Sequence, residues 1–192
     1  MLPRLREPSD DAIAALLERQ ADAPFSYVEV GATKGELPPG YDHARVRFEL
    51  GTGDSVFAAA CDAIRSWRMF ALGWVQLHGA VRAPAPGVTV SPVAHVLGMW
   101  SVNVARVVYV VDEPSQFGFA YGTLAAHAEC GEELFLVGRE PDGAVWYEIK
   151  VFSRPQLWWA KLGKPVVAAR QRRFREDSGA AMIAACRAGV SP

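Results

Sequence analysis

"FGFAYGTLAAHAECGEELFLV", residues 117–137, reads as two strands around a tight polar stop. Phe117, Phe119 and Tyr121 alternate with Gly118, Ala120 and Gly122, so a strand here has one large aromatic face and one almost bare face. Glycine in a strand costs roughly 0.5–1 kcal/mol relative to alanine, and the pair Gly118 and Gly122 therefore implies that something approaches the backbone closely. The expectation is that the small face looks inward and leaves room beneath a C-terminal helix for a hollow that holds an apolar ligand.

Around this stretch, from Trp74 to Phe152, short β-branched and aromatic runs alternate with Pro, Gly, Asp and Glu. Strands are expected at 74–82, 88–97, 104–112, 117–125, 133–138 and 144–152, with "EPDG" at 140–143 as a hairpin turn. Six consecutive strands with short links make an antiparallel meander. Upstream, 9–22 is a helix with Ser9 as N-cap and Ile13, Leu16 and Leu17 on one stripe. Residues 25–32 are a strand candidate, 36–43 a loop, 44–50 a half-exposed strand and 54–72 the clearest internal helix.

Beyond "FSRP" (152–155) helical periodicity returns, breaks once at Gly163 to Pro165 and continues to about residue 187, giving a C-terminal helix over 164–187. Val167, Phe174, Ala181, Met182 and Ala185 form its apolar stripe, interrupted by Gln171 and Ser178. Such a stripe is either an ordinary core face or one that meets a cavity. Helix, long antiparallel sheet and closing helix is the element order of the helix-grip fold, and in that order the chain resembles plant pollen-allergen-like proteins and steroidogenic-transfer-type lipid carriers. The resemblance implies an α+β fold in which a curved antiparallel sheet wraps a long C-terminal helix around an apolar hollow. Residues 1–192 are then one domain with 1–24 as an N-terminal helical extension, and a closed lipocalin-like barrel is the rival architecture.

Bulk properties narrow the function. A hydrophobic fraction of 51% with 21% charged residues is a globular composition, and a net charge of −1 gives no whole-molecule attraction to nucleic acid or anionic membrane. Cys61, Cys130 and Cys186 are widely spaced with no Cys-x-x-Cys pair, which points away from a disulfide framework or zinc site and toward the cytoplasm. The start, "MLPRLREPSDD", has no apolar leader-like stretch. Residues 83–105 carry no Asp, Glu, Lys or Arg, but Pro84, Pro86, Gly87 and Pro92 argue for strands over a membrane-spanning helix. Eight acids against one base at 112–148, and eight bases without an acid at 150–175, suggest that the last helix pairs with the acidic hairpins of its own sheet. A phosphate-bearing partner is the alternative use of that basic face.

Longer strings carry a more specific likeness. "FSYVEVGAT" (25–33), "LPPGYDH" (37–43), "RSWRMFALGW" (65–74), "RVVYVVDE" (106–113), "FGFAYGTLAAH" (117–127), "VWYEIKVFSRP" (145–155) and "QRRFREDS" (171–178) together resemble the bacterial and plant family catalogued as domain of unknown function nineteen-ninety. The likeness runs from Phe25 to Met182 and implies no particular enzymatic role. Where the family pattern has Pro and Gly before the histidine and Pro after it, this chain has Ala125, Ala126 and Ala128, which predicts a looser turn at His127.

Candidate site residues follow from charge and position. Arg106 enters an apolar strand after a long uncharged run and needs a partner, with Glu133 or Glu132 the first choice and a ligand carboxylate the other. Glu133 shares a face with Phe135 and Val137, so one of Glu132 and Glu133 points inward or sits at the rim. His127, Glu129, Glu132 and Glu133 crowd one hairpin end without the spacing of a metal site. Tyr27, Tyr121 and Tyr147 are strand tyrosines that can offer a ring to a hollow and a hydroxyl to a ligand.

No Ser-His-Asp order, phosphate-binding glycine loop or His-Glu-x-x-His occurs, so catalytic residues are unassigned and no metal or cofactor is expected. The expected ligand-binding set is Tyr27, Arg106, Tyr121, Gly122, Glu133 and Tyr147, and the expected partner an apolar or amphipathic small molecule rather than nucleic acid. The alternative is an enzyme using the same hollow for proton transfer, cyclisation or hydration, with Glu133 or His127 as base and Arg106 or a tyrosine stabilising the oxyanion. Peripheral membrane contact through Trp158, Trp159 and the basic helix is a third possibility.

Overall fold

The computed structural model describes residues 3–79, 82–156 and 164–190. The Trp158–Trp159 pair and Gly163 lie outside the described residues. Ser9 caps the first helix, α1 (Asp10–Gln20), through the Ala12 amide, and α1 sets Ile13 and Leu16 against Val93, Val102 and Leu124. The long edge strand β1 (Asp42–Thr52) leads into α2 (Asp54–Arg65). The expected 54–72 helix ends early because Trp67 adopts a left-handed conformation with φ 55°, and the chain continues as a 3-10 turn at Arg68–Phe70.

Seven further strands follow: β2 (Val75–His78), β3 (Thr89–Val96), β4 (Met99–Val102), β5 (Ala105–Glu113), β6 (Gln116–Thr123), β7 (Glu129–Arg139) and β8 (Ala144–Pro155). All pairings are antiparallel in the order β1-β8-β7-β6-β5-β3-β2, with β4 hairpinned onto β3. Leu97 and Gly98 both have positive φ, 52° and 72°, as a tight two-residue hairpin requires, and this separates two strands that the sequence pattern merges or leaves out. The sheet is open, since β1 and β2 end the order without pairing to each other, so the closed-barrel alternative does not hold. The last helix, α3 (Lys164–Val190), packs on α2, the Arg68–Phe70 turn, β1 and β8. This is the helix-grip architecture of an α+β protein.

The core lies between this sheet and the two helices α2 and α3. Phe117, Phe119 and Tyr121 face it, with Phe135, Val137, Tyr147 and Ile149 on neighbouring strands and Trp67, Phe70, Met182 and Cys186 opposite. Helix α3 can lie close because it carries Ser178 and Gly179 at the crossing. Ser178 hydrogen-bonds Tyr147 Oη at 2.9 Å, and a Cβ on Gly179 would sit 2.5 Å from the Phe48 ring.

The orientation of β6 is therefore the reverse of the expectation. Gly118, Ala120 and Gly122 look away from α3, and the chain's own side chains cover them. Ala120 sits in a second cluster with Tyr109, Leu134, Leu136 and Trp146 on the outer face. A Cβ on Gly122 would collide with the Tyr27 hydroxyl and lie 2.9 Å from Phe25, and one on Gly138 would collide with the Trp146 indole. The bare face exists because rings from elsewhere lie flat on the backbone, filling the space that side chains would take.

The body covering Gly122 is residues 25–34, which form bends and a 3-10 turn (Ala32–Lys34) instead of the expected strand. This segment hydrogen-bonds the end of β6 through Ser26 N–H to the Thr123 carbonyl at 3.0 Å. Glu132 holds the rest. Its carboxylate accepts from Tyr27 Oη at 2.7 Å, Gly31 N at 2.7 Å, Thr33 N at 3.0 Å and the Thr33 hydroxyl. Tyr109 Oη closes the cluster at 2.8 Å from Thr33 Oγ1. Alternation in "FSYVEV" imitates a strand, but the amides find a buried carboxylate instead of a ladder.

Candidate functional site

Where α3 diverges from the ends of β6, β7 and β8, it leaves a hollow of about 110 Å³. Tyr121 and Thr123 from β6, Glu129 and Glu133 from β7, and Val151 and Ser153 from β8 form its floor. One face of α3 forms its roof, with Arg170, Gln171, Phe174 and Arg175 spaced by single helical turns. Phe70, Trp74, Val75, Pro92, Ala94 and Asn103 close the sides.

The walls divide by chemistry. Phe70, Phe174 and Val151 give an apolar surface continuous with the aromatic core, where Phe70 and Phe174 lie 5.5 Å apart. The polar groups are only partly satisfied. Gln171 Nε2 donates to Ser153 Oγ at 3.2 Å, and Arg170 to Ser101 Oγ at 3.0 Å. Among the described residues, Asn103 Oδ1 and Glu129 Oε1 are buried yet accept no hydrogen bond. A buried acceptor without a donor costs about 1–3 kcal/mol, so these atoms mark places where a guest adds bonds the fold leaves unmade.

Glu133 is the centre of the hollow electrostatically. Register opposes it to Tyr121 on β6 and to Val151 on β8, and the Tyr121 hydroxyl donates to its Oε2 at 2.9 Å. Burial dominates, pushing its carboxyl up to about 7, and the Tyr121 hydrogen bond and Arg175 only partly offset this. Burial, with Glu133 next to it, raises the Tyr121 phenol further, so it stays a neutral donor. Burial also raises the Glu129 carboxyl, opposed by Ser153 and Arg170.

His127 behaves differently from the expectation. Its turn is not loose: the His127 amide donates to Leu124 O at 2.9 Å, and its Nδ1 accepts from the Glu129 amide at 3.0 Å. Burial first, and Arg170 second, depress the imidazole to about 3, so it is neutral at physiological pH, with Nδ1 3.0 Å from the Glu129 amide and 3.1 Å from the Glu129 carbonyl. That makes it a weak base.

Of the residues expected to bind ligand, Tyr121 and Glu133 meet at the hollow. Tyr147 lies under α3 but is sealed in the core, stacked on Phe48 and bonded to Ser178. Tyr27 and Gly122 belong to the outer face, one covering the other.

Arg106 needs correction. It pairs across strands with Gly122, whereas Glu133 opposes Tyr121, so Arg106 and Glu133 emerge on opposite faces of the sheet. Its guanidinium lies 4.5 Å over the Phe25 ring and donates to the Ala21 carbonyl at 2.5 Å, with no carboxylate partner among the described residues. Glu132, on the same outer face, is already committed to Tyr27, Gly31 and Thr33.

The hollow also uses residues outside the expected ligand-binding set: Asn103, Ser153, Arg170 and Arg175, which the sequence reading missed, and Glu129 and Phe174, which it named only at the hairpin end and on the α3 stripe. Gln171, flagged as an interruption of the α3 stripe, was the available signal for its neighbours. Asn103 and Ser153 carry none, because their place depends on strand ends meeting. Among the described residues, no group of three or more His, Cys, Asp and Glu side chains could hold a metal ion, and no helix is long and apolar enough to cross a membrane.

A family model described as Domain of unknown function (DUF1990) matches residues 26–181. The chain belongs to this family. The match spans β1 to most of α3 and therefore every wall of the hollow. A UPF0548 protein of Dictyostelium discoideum is 34% identical over 202 residues, covering 94% of both chains. Another, from Deinococcus radiodurans, is 36% identical over 180 residues, covering 88% of this chain and 91% of the relative. In three dimensions, a hypothetical protein from Helicobacter pylori solved at 1.88 Å superposes with a TM-score of 0.57 at 12% identity, covering 78% of this chain and 94% of that one. Identity that low speaks to the fold alone. The family description carries no activity, so function is read from the hollow itself.

Proposed function

We propose that this member of the family binds a small molecule with an apolar body and a polar head in the hollow between α3 and β6–β8, with Tyr121 and Glu133 among the contacts. The observation that carries this reading is the pairing of an apolar wall with buried acceptors that lack donors among the described residues, Asn103 Oδ1 and Glu129 Oε1. Helix-grip architecture supports it, because the hollow lies between one face of the last helix and the ends of the sheet strands. Size constrains the guest. A space of about 110 Å³ is well below the roughly 300–1,000 Å³ of drug-sized sites, so a two-chain lipid requires α3 to move and a single short chain does not. Three free, buried cysteines suit a reducing cytoplasm.

Native mass spectrometry of the freshly purified chain tests the reading. The expected result is a stoichiometric small-molecule adduct that Val151→Phe, which fills the hollow, removes while the far-ultraviolet circular dichroism stays unchanged. A clean unliganded spectrum together with no uptake of any short amphiphile would reject it.

A second reading has one observation of its own. A carboxyl titrating at about 7 beside a neutral phenol suits a general base with a hydrogen-bond donor at hand. An adduct that leaves the wild-type protein chemically changed, but leaves Glu133→Gln unchanged, would favour an enzyme over a carrier.

A further inference from the structure

We propose that the polar end of the hollow is a carboxylate subsite built on Arg175, so that the guest is a short amphipathic carboxylic acid bound as its anion. This rests on the binding function proposed above and specifies the chemistry of its ligand.

Arg175 lies in the roof of the hollow and is partly buried, yet among the described residues it makes no hydrogen bond or ion pair. Its neighbours on α3 are engaged. Arg173 meets Asp177 at 3.3 Å and lies over Trp74, and Arg170 bonds Ser101 and faces Glu129. Arg175 acts on the Glu133 carboxyl, lowering its pKa, but that carboxyl takes its hydrogen bond from Tyr121. A guanidinium facing a hollow without a fork-shaped acceptor is poised for one, and a carboxylate matches two of its N–H groups at once.

Charge in the hollow favours a single negative charge. The groups facing Arg175 and its site are Tyr121 from β6, Glu129 and Glu133 from β7, His127 from the turn between them, and Arg170 on α3 itself; Glu132 also borders the hollow, but its carboxylate is taken up on the outer face by Tyr27, Gly31 and Thr33. Tyr121 and His127 are neutral, and Arg170 offsets Glu129. What is left is Arg175 against a Glu133 that burial biases toward its protonated form. A monoanion completes that balance, whereas a phosphate dianion overshoots it beside two carboxyls. The apolar body then lies on Phe70, Phe174 and Val151, which flank the same space.

A linked proton follows. An anion beside Glu133 favours its neutral form, so binding takes up a proton when Glu133 is ionised and weakens as pH rises through about 7. Hexanoate itself stays ionised across that range, because an unperturbed carboxyl titrates near 4.3.

Isothermal titration of the full chain with hexanoate, hexanol and hexylamine at pH 6 and pH 8.5 tests this. The expected result at pH 6 is hexanoate bound about tenfold or more tighter than hexanol, with hexylamine weakest. Arg175→Gln abolishes the preference while hexanol affinity stays, and Arg175→Lys restores part of it. Hexanoate affinity of the wild type falls roughly tenfold from pH 6 to pH 8.5. Hexanol bound as tightly as hexanoate, or a preference that survives Arg175→Gln, overturns the carboxylate subsite and leaves the binding function standing. Failure of all three probes to bind overturns both.

Discussion

Glu132→Ala is expected to destabilise the fold by roughly 3–5 kcal/mol. The carboxylate is 1% exposed and receives the Tyr27 hydroxyl, the Gly31 and Thr33 amides and the Thr33 hydroxyl. Alanine strands all four donors at once beneath a segment that has no strand ladder to fall back on. Tyr27 then loses the bond that holds it over Gly122, opening the outer face of β6. Glu132→Gln keeps one acceptor oxygen and should lose an intermediate amount. Denaturant melts give the magnitude, and hydrogen exchange gives the mechanism: the Gly31 and Thr33 amides should exchange faster than the β7 ladder. A loss below about 1 kcal/mol would mean that residues 25–34 are held by other contacts.

The neighbouring glutamate should do the opposite. Glu133 lies on the inner face, and its carboxyl holds its proton up to about 7 in the folded chain against 4.5 as the reference for an unfolded one. Between those values the native state binds the proton and the unfolded state does not. Stability from this group is therefore full below about pH 4.5 and declines as pH rises through about 7. The interval corresponds to about 3 kcal/mol, at about 1.4 kcal/mol per pH unit. Glu133→Gln cannot ionise and still accepts from Tyr121, so it should be more stable than wild type by up to about 3 kcal/mol at pH 8. At pH 4 the two proteins should be nearly equal. For a chain of this size the pH 8 gain is roughly 6–12 °C in melting temperature. Equal gain at both pH values would assign the effect to packing instead of charge. A buried carboxyl that costs stability without an ion-pair partner is a recognised mark of a functional site.

These two adjacent residues also show what the sequence could and could not reveal. Alternation along β5 to β8 and the polar turns between them are local signals, and they made the meander and the closing helix legible. The same alternation in "FSYVEV" misled, because the amides of Gly31 and Thr33 bond to Glu132, about a hundred residues away in the chain. The small face of β6 was visible as Gly118 and Gly122, but its direction was not. Both faces of this sheet are covered, one by helices and one by Tyr27 and Trp146, and residue size alone does not say which cover is which. Pairing Arg106 with Glu133 failed for a related reason: inter-strand register decides which side chains share a face, and single-strand patterns do not contain it. Tyr121 was named as a strand tyrosine and Glu133 as a charge set before an apolar run, both from residue type, while the inward parity of β6 was read in reverse. Arg175 was visible only as one base in a basic run, since its role depends on where α3 leaves the sheet.

The most direct test of the account is amide chemical-shift mapping by heteronuclear NMR as hexanoate is added to the labelled full-length chain at pH 6. Binding in the hollow shifts only its lining: Tyr121, Thr123, Glu133, Val151, Ser153 and the α3 turn from Gln171 to Arg175. Shifts centred on the outer groove around Arg45, Arg47 and Trp146, or no shifts at saturating hexanoate, would contradict it.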